Sequence, residues 1–267
     1  MEEGSVKQST RILVTATYLI MIVINALANI LPINGKGTGA VSDSYPNLFA
    51  PAGLTFSIWG VIYILLAGFT LHLWGILPRK SDPEKTKLLE KIGLIFSISS
   101  IANSVWIFAW HYDAIGLSVV LMLVILACLI LINLATRKET FTLTQKLLIR
   151  LPFSVYFGWI TVATIANMTT LLVDAGWKGF GISETLWTIV ILIVGLLIGS
   201  ATMLRQKDVA YGLVLLWAYF GILIKHTSEG GFDSRYPAII VTISVCLTLF
   251  VLTQLKLILP ARKPNGA

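Results

Sequence analysis

Apolar residues in this chain gather into stretches of about 20, the length that a helix rising about 1.5 Å per residue needs to cross a hydrocarbon core about 30 Å thick. We read eight of them, at 12–33, 54–77, 92–110, 115–136, 147–172, 185–204, 209–225 and 237–259. The seventh, VAYGLVLLWAYFGILIK, is short and interrupted by glycine. None shows the ten-residue alternation of a membrane β-barrel. Composition closes the soluble alternatives. Only 12% of the 267 residues are charged, 56% are hydrophobic and the mean hydropathy is +0.84. A soluble domain carries about a quarter charged residues, so a soluble enzyme of this length could not cover its surface. Disorder, collagen and a disulfide scaffold are excluded as well. The expected fold is an all-α polytopic membrane protein with eight transmembrane helices.

The basic residues test that count. With eight spans, one side receives only Lys36, Lys178, Lys225 and Arg235, and the other receives the remaining 16 of the 20 Lys and Arg, among them Arg79, Lys80, Arg262 and Lys263. The positive-inside rule then predicts a multi-pass protein of the cell membrane with both termini cytoplasmic. Adding or dropping a span near the seventh would place the basic carboxyl tail outside. The net charge of +7 is accounted for by short loops facing anionic headgroups. No loop is long enough to form the basic face that nucleic-acid binding needs. The apolar run after MEEGSVKQSTR lacks a small-residue cleavage site, so the first helix is expected to be retained. Cys128 and Cys246 fall mid-span and read as small packing residues.

The chain reads as a single membrane domain. Its longest non-helical stretch is the loop 34–53, NGKGTGAVSDSYPNLFAPAG, in which Tyr45 and Phe49 are apolar enough to pack on something. They are candidates for a lid over the outer mouth of the bundle, with interfacial anchoring as the equal alternative.

Catalytic machinery is not visible. Asp113, Asp174, Glu184, Glu229 and Asp233 fall in loops or at helix ends, so no intramembrane carboxylate marks an ion-coupled carrier. There is no HExxH, GxSxG, Walker loop or Cys/His cluster, and hence no catalytic residue or metal ligand to name. Without an ion or ATP site, any transport would be passive or driven by a partner. His72 and His226 read as structural groups, and His111 as a pocket-rim residue.

What the spans do carry is aromatics and amides at related depths. Trp59 and Tyr63 lie one turn apart on the second span. Asn103, Trp106 and Trp110 follow at i, i+3 and i+7 on the third. The fifth carries Trp159 and, two turns on, Asn167, while Asn25 and Asn29 end the first. The residues alone leave two readings equally open, a ligand pocket in the outer half or an interfacial belt with amides holding helices together. Gly195 and Gly199 give a small-xxx-small spacing that points to packing within the chain rather than to a dimer, although a homodimer stays open.

These blocks resemble the TspO/translocator protein family, the tryptophan-rich sensory proteins. FSIWGVIY, with Phe56, Trp59 and Tyr63, is similar to its F-x-x-V-W-x-x-x-Y block. ANSVWIFAW, with Asn103 and Trp106, is similar to its N-x-x-W-x-x-x-F block. WITVATIAN repeats its Trp-to-Asn spacing from Trp159 to Asn167, after Pro152. The resemblance covers 12–173. The chain departs from the pattern at Leu54, at Ala50 to Gly53, at Trp110-His111 and in the spacing of Pro152.

The resemblance implies a five-helix core at 12–173, with the spans at 185–259 as a three-helix C-terminal extension. It also implies a cavity beneath the first loop for a porphyrin- or heme-like or a sterol- or lipid-like molecule. Ligand contacts would come from Trp59, Tyr63, Asn103, Trp106, Trp110, Trp159 and Asn167. No cofactor is required; a porphyrin or heme would be the ligand, and membrane lipids the surroundings. Sensing or passive carriage follows most directly. A membrane enzyme degrading porphyrins, or a structural subunit with no ligand, are the alternatives.

Overall fold

The computed structural model of the chain describes residues 5–31, 33–76 and 82–259. In order, the helices are α1 (Gln8–Ile30), α2 (Thr38–Asp43), α3 (Ile58–Leu73), α4 (Pro83–His111), α5 (Ile115–Arg137), α6 (Leu143–Gln145), α7 (Leu151–Asp174), α8 (Glu184–Gln206), α9 (Val209–Thr227) and α10 (Pro237–Ile258), with no strand among the described residues. A 3-10 turn, Gly53–Ser57, leads into α3, and a π-helical turn, Lys146–Arg150, joins α6 to α7. Eight apolar helices are thus long enough to cross a membrane, as the hydropathy of the sequence requires. Of the basic residues used above, Arg79, Lys80, Arg262 and Lys263 lie outside the described residues.

Helix ends follow from local chemistry. The helix α4 starts well before the apolar run at 92, because the Asp82 Oδ1 accepts from the N–H groups of Glu84 and Lys85 at 3.1 and 3.3 Å and Pro83 sits at the first helical position. The end of α3 at Leu73 is followed by Gly75 at φ 72, a left-handed conformation that glycine adopts without strain. Between α8 and α9 the turn is minimal: left-handed Lys207 ends one helix, and Asp208 caps the next by accepting from the Tyr211 N–H at 3.0 Å. Pro152 has no N–H to offer the Leu148 carbonyl, and the chain takes up π-helical spacing in that turn.

By contacts the chain divides into two compact units. One is Met1–Pro46 with Phe56–Trp177, the other Asn47–Thr55 with Lys178–Ala267.

In the first unit, α4 packs on α1 and α5, α7 on α5 and α3, and α1 on α3, giving the circular order α1–α4–α5–α7–α3. Two of these helices are central: 67% of the apolar window of α4 and 72% of that of Leu143–Asp174 is buried, against 33% for α1 and 28% for Gly53–Leu73. Phe69, Phe96 and Phe153, from α3, α4 and α7, meet edge to face with ring centroids 4.8 to 5.9 Å apart. Gly93 lets α1 approach α4, since a Cβ there would lie 3.0 Å from Val14 and 3.2 Å from Thr10.

In the second unit α10 packs on α8 and α9, which also touch each other. Gly199 of α8 is where they close: a Cβ there would strike Leu215 of α9 and Phe250 of α10. The small-xxx-small spacing therefore serves packing within the chain. Gly199→Leu is expected to destabilise the protein by about 1–3 kcal/mol through overpacking, read as a lower unfolding midpoint in detergent. Loss of an oligomer with monomer stability unchanged would place the motif at a copy–copy interface instead.

This unit also contains the segment Asn47–Thr55, which lies along α9 in the opposite direction. The His226 Nε2 donates to the Leu48 carbonyl at 2.9 Å, the Ala52 N–H to the Gly221 carbonyl at 3.0 Å, and the Trp217 Nε1 to the Thr55 carbonyl at 3.0 Å. Leu48, Phe49, Ala50 and Thr55 are buried. A side chain at Gly221 would occupy the place of the Thr55 hydroxyl.

Candidate ligand-binding site

The spacing of residues on α3 and α7 builds an aromatic seam in the first unit. Trp59 and Tyr63, one turn apart on α3, stack at 5.6 Å with an interplanar angle of 21°. From α7, Tyr156 and Trp159 present their rings to Trp59 nearly edge-on, at 5.8 and 6.2 Å. Phe56 meets Trp159 at 5.8 Å. Trp59 is thus the ring common to three contacts, and it is only half-buried, whereas Trp159 is 3% and Tyr156 0% exposed.

Amides support the seam from the far side. The Asn25 Nδ2 of α1 donates to the Asn103 Oδ1 of α4 at 2.7 Å, and the Asn103 Nδ2 reaches the Tyr156 Oη at 3.4 Å. The Tyr18 Oη donates to the Tyr63 carbonyl at 2.8 Å, tying α1 to α3. Two polar atoms in the seam have no partner, the Tyr63 Oη and the Trp159 Nε1, and both are buried. An indole N–H can only donate, and a buried donor left unmet costs about 1–3 kcal/mol.

Trp106, Trp110 and Asn167 form a second cluster. The two indoles stack at 5.5 Å and 17°. The Trp106 Nε1 donates to the Asn167 Oδ1 at 3.0 Å, the Asn167 Nδ2 to the Ser118 Oγ at 2.8 Å, and the Trp110 Nε1 to the Thr38 carbonyl at 3.1 Å. Here every indole donor is engaged, and α2, α4, α5 and α7 are bound together. Asn167→Leu, which strands the Trp106 N–H while Ser118 keeps its bond to the Ile115 carbonyl, is expected to cost about 1–3 kcal/mol, measurable as a lowered thermal midpoint.

The two loop aromatics take separate positions. The Tyr45 Oη donates to the Asp113 Oδ1 at 3.0 Å in the first unit. Partial burial and that bond push its hydroxyl up to about 12, so the phenol stays protonated and donating. Phe49 is buried in the second unit, beside the bond between Leu48 and His226. His111 is buried, with the Nδ1 on the Ile107 carbonyl at 2.8 Å, and His226 is held as described. Cys128 and Cys246 are buried free thiols in different units. Among the described residues no group of His, Cys, Asp and Glu could hold a metal ion.

The residue missing from the sequence reading is Tyr156. It precedes Trp159 by three positions, the spacing of one helical face, and that spacing was available in the sequence.

An all-helical, multi-pass membrane protein with Trp, Tyr and Asn meeting inside its spans is the class this fold defines. The chain belongs to the TSPO-like protein family, whose pattern matches residues 11–255. The match runs beyond the five-helix region through α8, α9 and α10, so these three helices lie within the matched span. Comparison with curated proteins and with solved structures finds no match. In the first unit the first two sequence blocks each meet the third, Phe56 and Trp59 through ring contacts with Trp159, and Trp106 through a hydrogen bond to Asn167.

Proposed function

We propose that the protein binds one hydrophobic small molecule, porphyrin- or heme-like or sterol- or lipid-like, against Trp59, Tyr63 and Trp159, and acts as a sensor or passive carrier in the cell membrane with both termini cytoplasmic. The observation that carries this reading is the half-buried Trp59 ring in contact with two residues whose polar atoms are buried and unmatched. A flat apolar ligand stacking on the indole gains dispersion and apolar burial. A carbonyl, ether or ring nitrogen at its edge accepts from the Trp159 N–H and the Tyr63 hydroxyl. Asn103, acting through Tyr156, supports the seam; Trp106, Trp110 and Asn167, whose donors are already engaged, hold the helices that carry it.

The test is quenching of tryptophan fluorescence in the detergent-purified protein by protoporphyrin IX and by hemin, in wild type, Trp59→Phe and Trp159→Phe. Saturable quenching that weakens in both variants, with folding intact, supports the site. Weak, unsaturable quenching equal in all three proteins overturns it for tetrapyrroles.

A further inference from the structure

At the end of the first unit where α1 starts and α3 ends, a guanidinium is held against an indole. Arg11 lies with its Cζ 6.0 Å from the centre of the Trp74 ring. That ring is fixed edge-on: the Trp74 Nε1 donates to the Thr15 Oγ1 at 2.9 Å, and the Thr15 hydroxyl donates to the Arg11 carbonyl at 2.8 Å. The neighbouring carboxylate is taken, since Glu90 accepts from the Lys7 backbone N–H at 3.0 Å and pairs with the Lys7 Nζ at 4.0 Å. Among the described residues Arg11 has no ion-pair partner. The Arg11 Nε is buried and unmatched, although the residue as a whole is part-exposed. The guanidinium thus rests against Trp74 with hydrogen-bonding capacity to spare.

The surroundings say what approaches it. Ile12 and Leu13 follow Arg11 on α1, Leu71 and Ile76 flank Trp74 in sequence, all four are exposed apolar side chains, and Trp74 itself is 39% exposed. These belong in acyl chains, with the tryptophan at headgroup depth. Because α1 and α4 run parallel, with Thr10 near Gly93 and Asn25 bonded to Asn103, the same end of the unit also carries Lys85, Lys87 and Lys91 at the start of α4. With Lys7 and Arg11 these make five cations against the three carboxylates Asp82, Glu84 and Glu90, so the net charge there is positive, and the planar edge of a guanidinium matches two oxygens of a phosphate.

We propose that Arg11, backed by Trp74, is a binding site for the phosphate group of an anionic phospholipid, whose chains lie along the exposed apolar faces of α1 and α3. Basic sites between membrane helices recognise such headgroups by this combination of charge and apolar flank. The site is independent of the aromatic seam.

The experiment follows thermal unfolding of the delipidated full-length chain in neutral detergent during titration with dioleoylphosphatidylglycerol, dioleoylphosphatidylcholine or inorganic phosphate. The expected result is a saturable upward shift with phosphatidylglycerol, a smaller one with phosphatidylcholine and none with phosphate. Arg11→Gln should raise the half-saturating phosphatidylglycerol concentration about tenfold, and Arg11→Lys, which keeps the charge but loses the two-pronged edge, about threefold. Should Arg11→Gln prove poorly folded, Trp74→Leu supplies the second variant, and native mass spectrometry counts the retained lipids directly. Equal titrations by the two lipids, or an unchanged half-saturation in the Arg11 and Trp74 variants, would overturn the proposal. An equal shift with inorganic phosphate would assign the site to free anions and overturn the lipid.

Discussion

Trp59→Ala is expected to weaken binding of protoporphyrin IX by about two orders of magnitude. A flat ligand on that ring covers roughly 100 Å² of indole, which at about 25 cal/mol per Å² amounts to about 2.5 kcal/mol, close to a hundredfold in affinity. Trp159→Phe removes the N–H together with part of the buried indole but leaves Trp59 in place, so its effect on affinity is smaller, roughly threefold to tenfold for one neutral hydrogen bond. Tyr63→Phe should lose a similar factor, because it deletes the other unmatched polar atom. Deleting the Tyr63 hydroxyl also relieves a buried, unsatisfied group without opening a cavity, so Tyr63→Phe should be at least as stable as wild type without ligand. A loss of binding together with higher stability of the free protein is the signature of a donor held ready for a ligand. Fluorescence titration and thermal unfolding measured on the same samples read both quantities. Equal affinity in wild type and Trp59→Ala would remove the seam from consideration.

Gly221→Ala is expected to be among the most damaging single substitutions in the second unit. The added methyl takes the position of the Thr55 side chain. Segment 47–55 must then leave α9, losing the bonds of Leu48, Ala52 and Thr55. Overpacking and the lost bonds together cost about 3–5 kcal/mol. The direct readout is hydrogen exchange at the Ala52 amide, which should speed up many-fold along with a drop in the unfolding midpoint. Thr55→Gly removes the obstructing side chain, so the double variant should recover most of what Gly221→Ala loses. Such non-additivity is expected of two residues in contact. Unchanged exchange at Ala52 in the single variant would show that the segment is not held there.

The eight helices were legible because hydropathy over 20 residues is set by the solvent around the chain, not by its partners. Details set by single residues were legible to a lesser degree. Asp82 and Pro83 announce where α4 begins, yet a search for apolar length starts it at 92 because the charged first turns contribute nothing to a span. The seam between α3 and α7 was half legible. Trp59, Tyr63 and Trp159 stood out as large rings on single faces, and Tyr156 was passed over although it shares the face of Trp159. What periodicity could not supply was the separation of the aromatics into a cluster with unmatched donors and one whose donors are engaged. That depends on which carbonyl or amide from another helix meets each indole. The loop told least. Its Leu48 and Phe49 are apolar enough to require a partner, but nothing within 34–53 names α9 as that partner.

Synthesis order gives that docking a further meaning. The bond between Leu48 and His226 joins residues 178 positions apart, and that between Thr55 and Trp217 residues 162 apart. At roughly 5–20 residues added per second, the ribosome takes roughly ten to thirty-five seconds to travel from one partner to the other. Throughout that interval the nascent chain carries Leu48 and Phe49 with no α9 to receive them. A polypeptide released early, before Trp217, would keep them without their partner on α9. The segment can therefore dock only once α9 has been made, and its burial depends on the presence of that late helix.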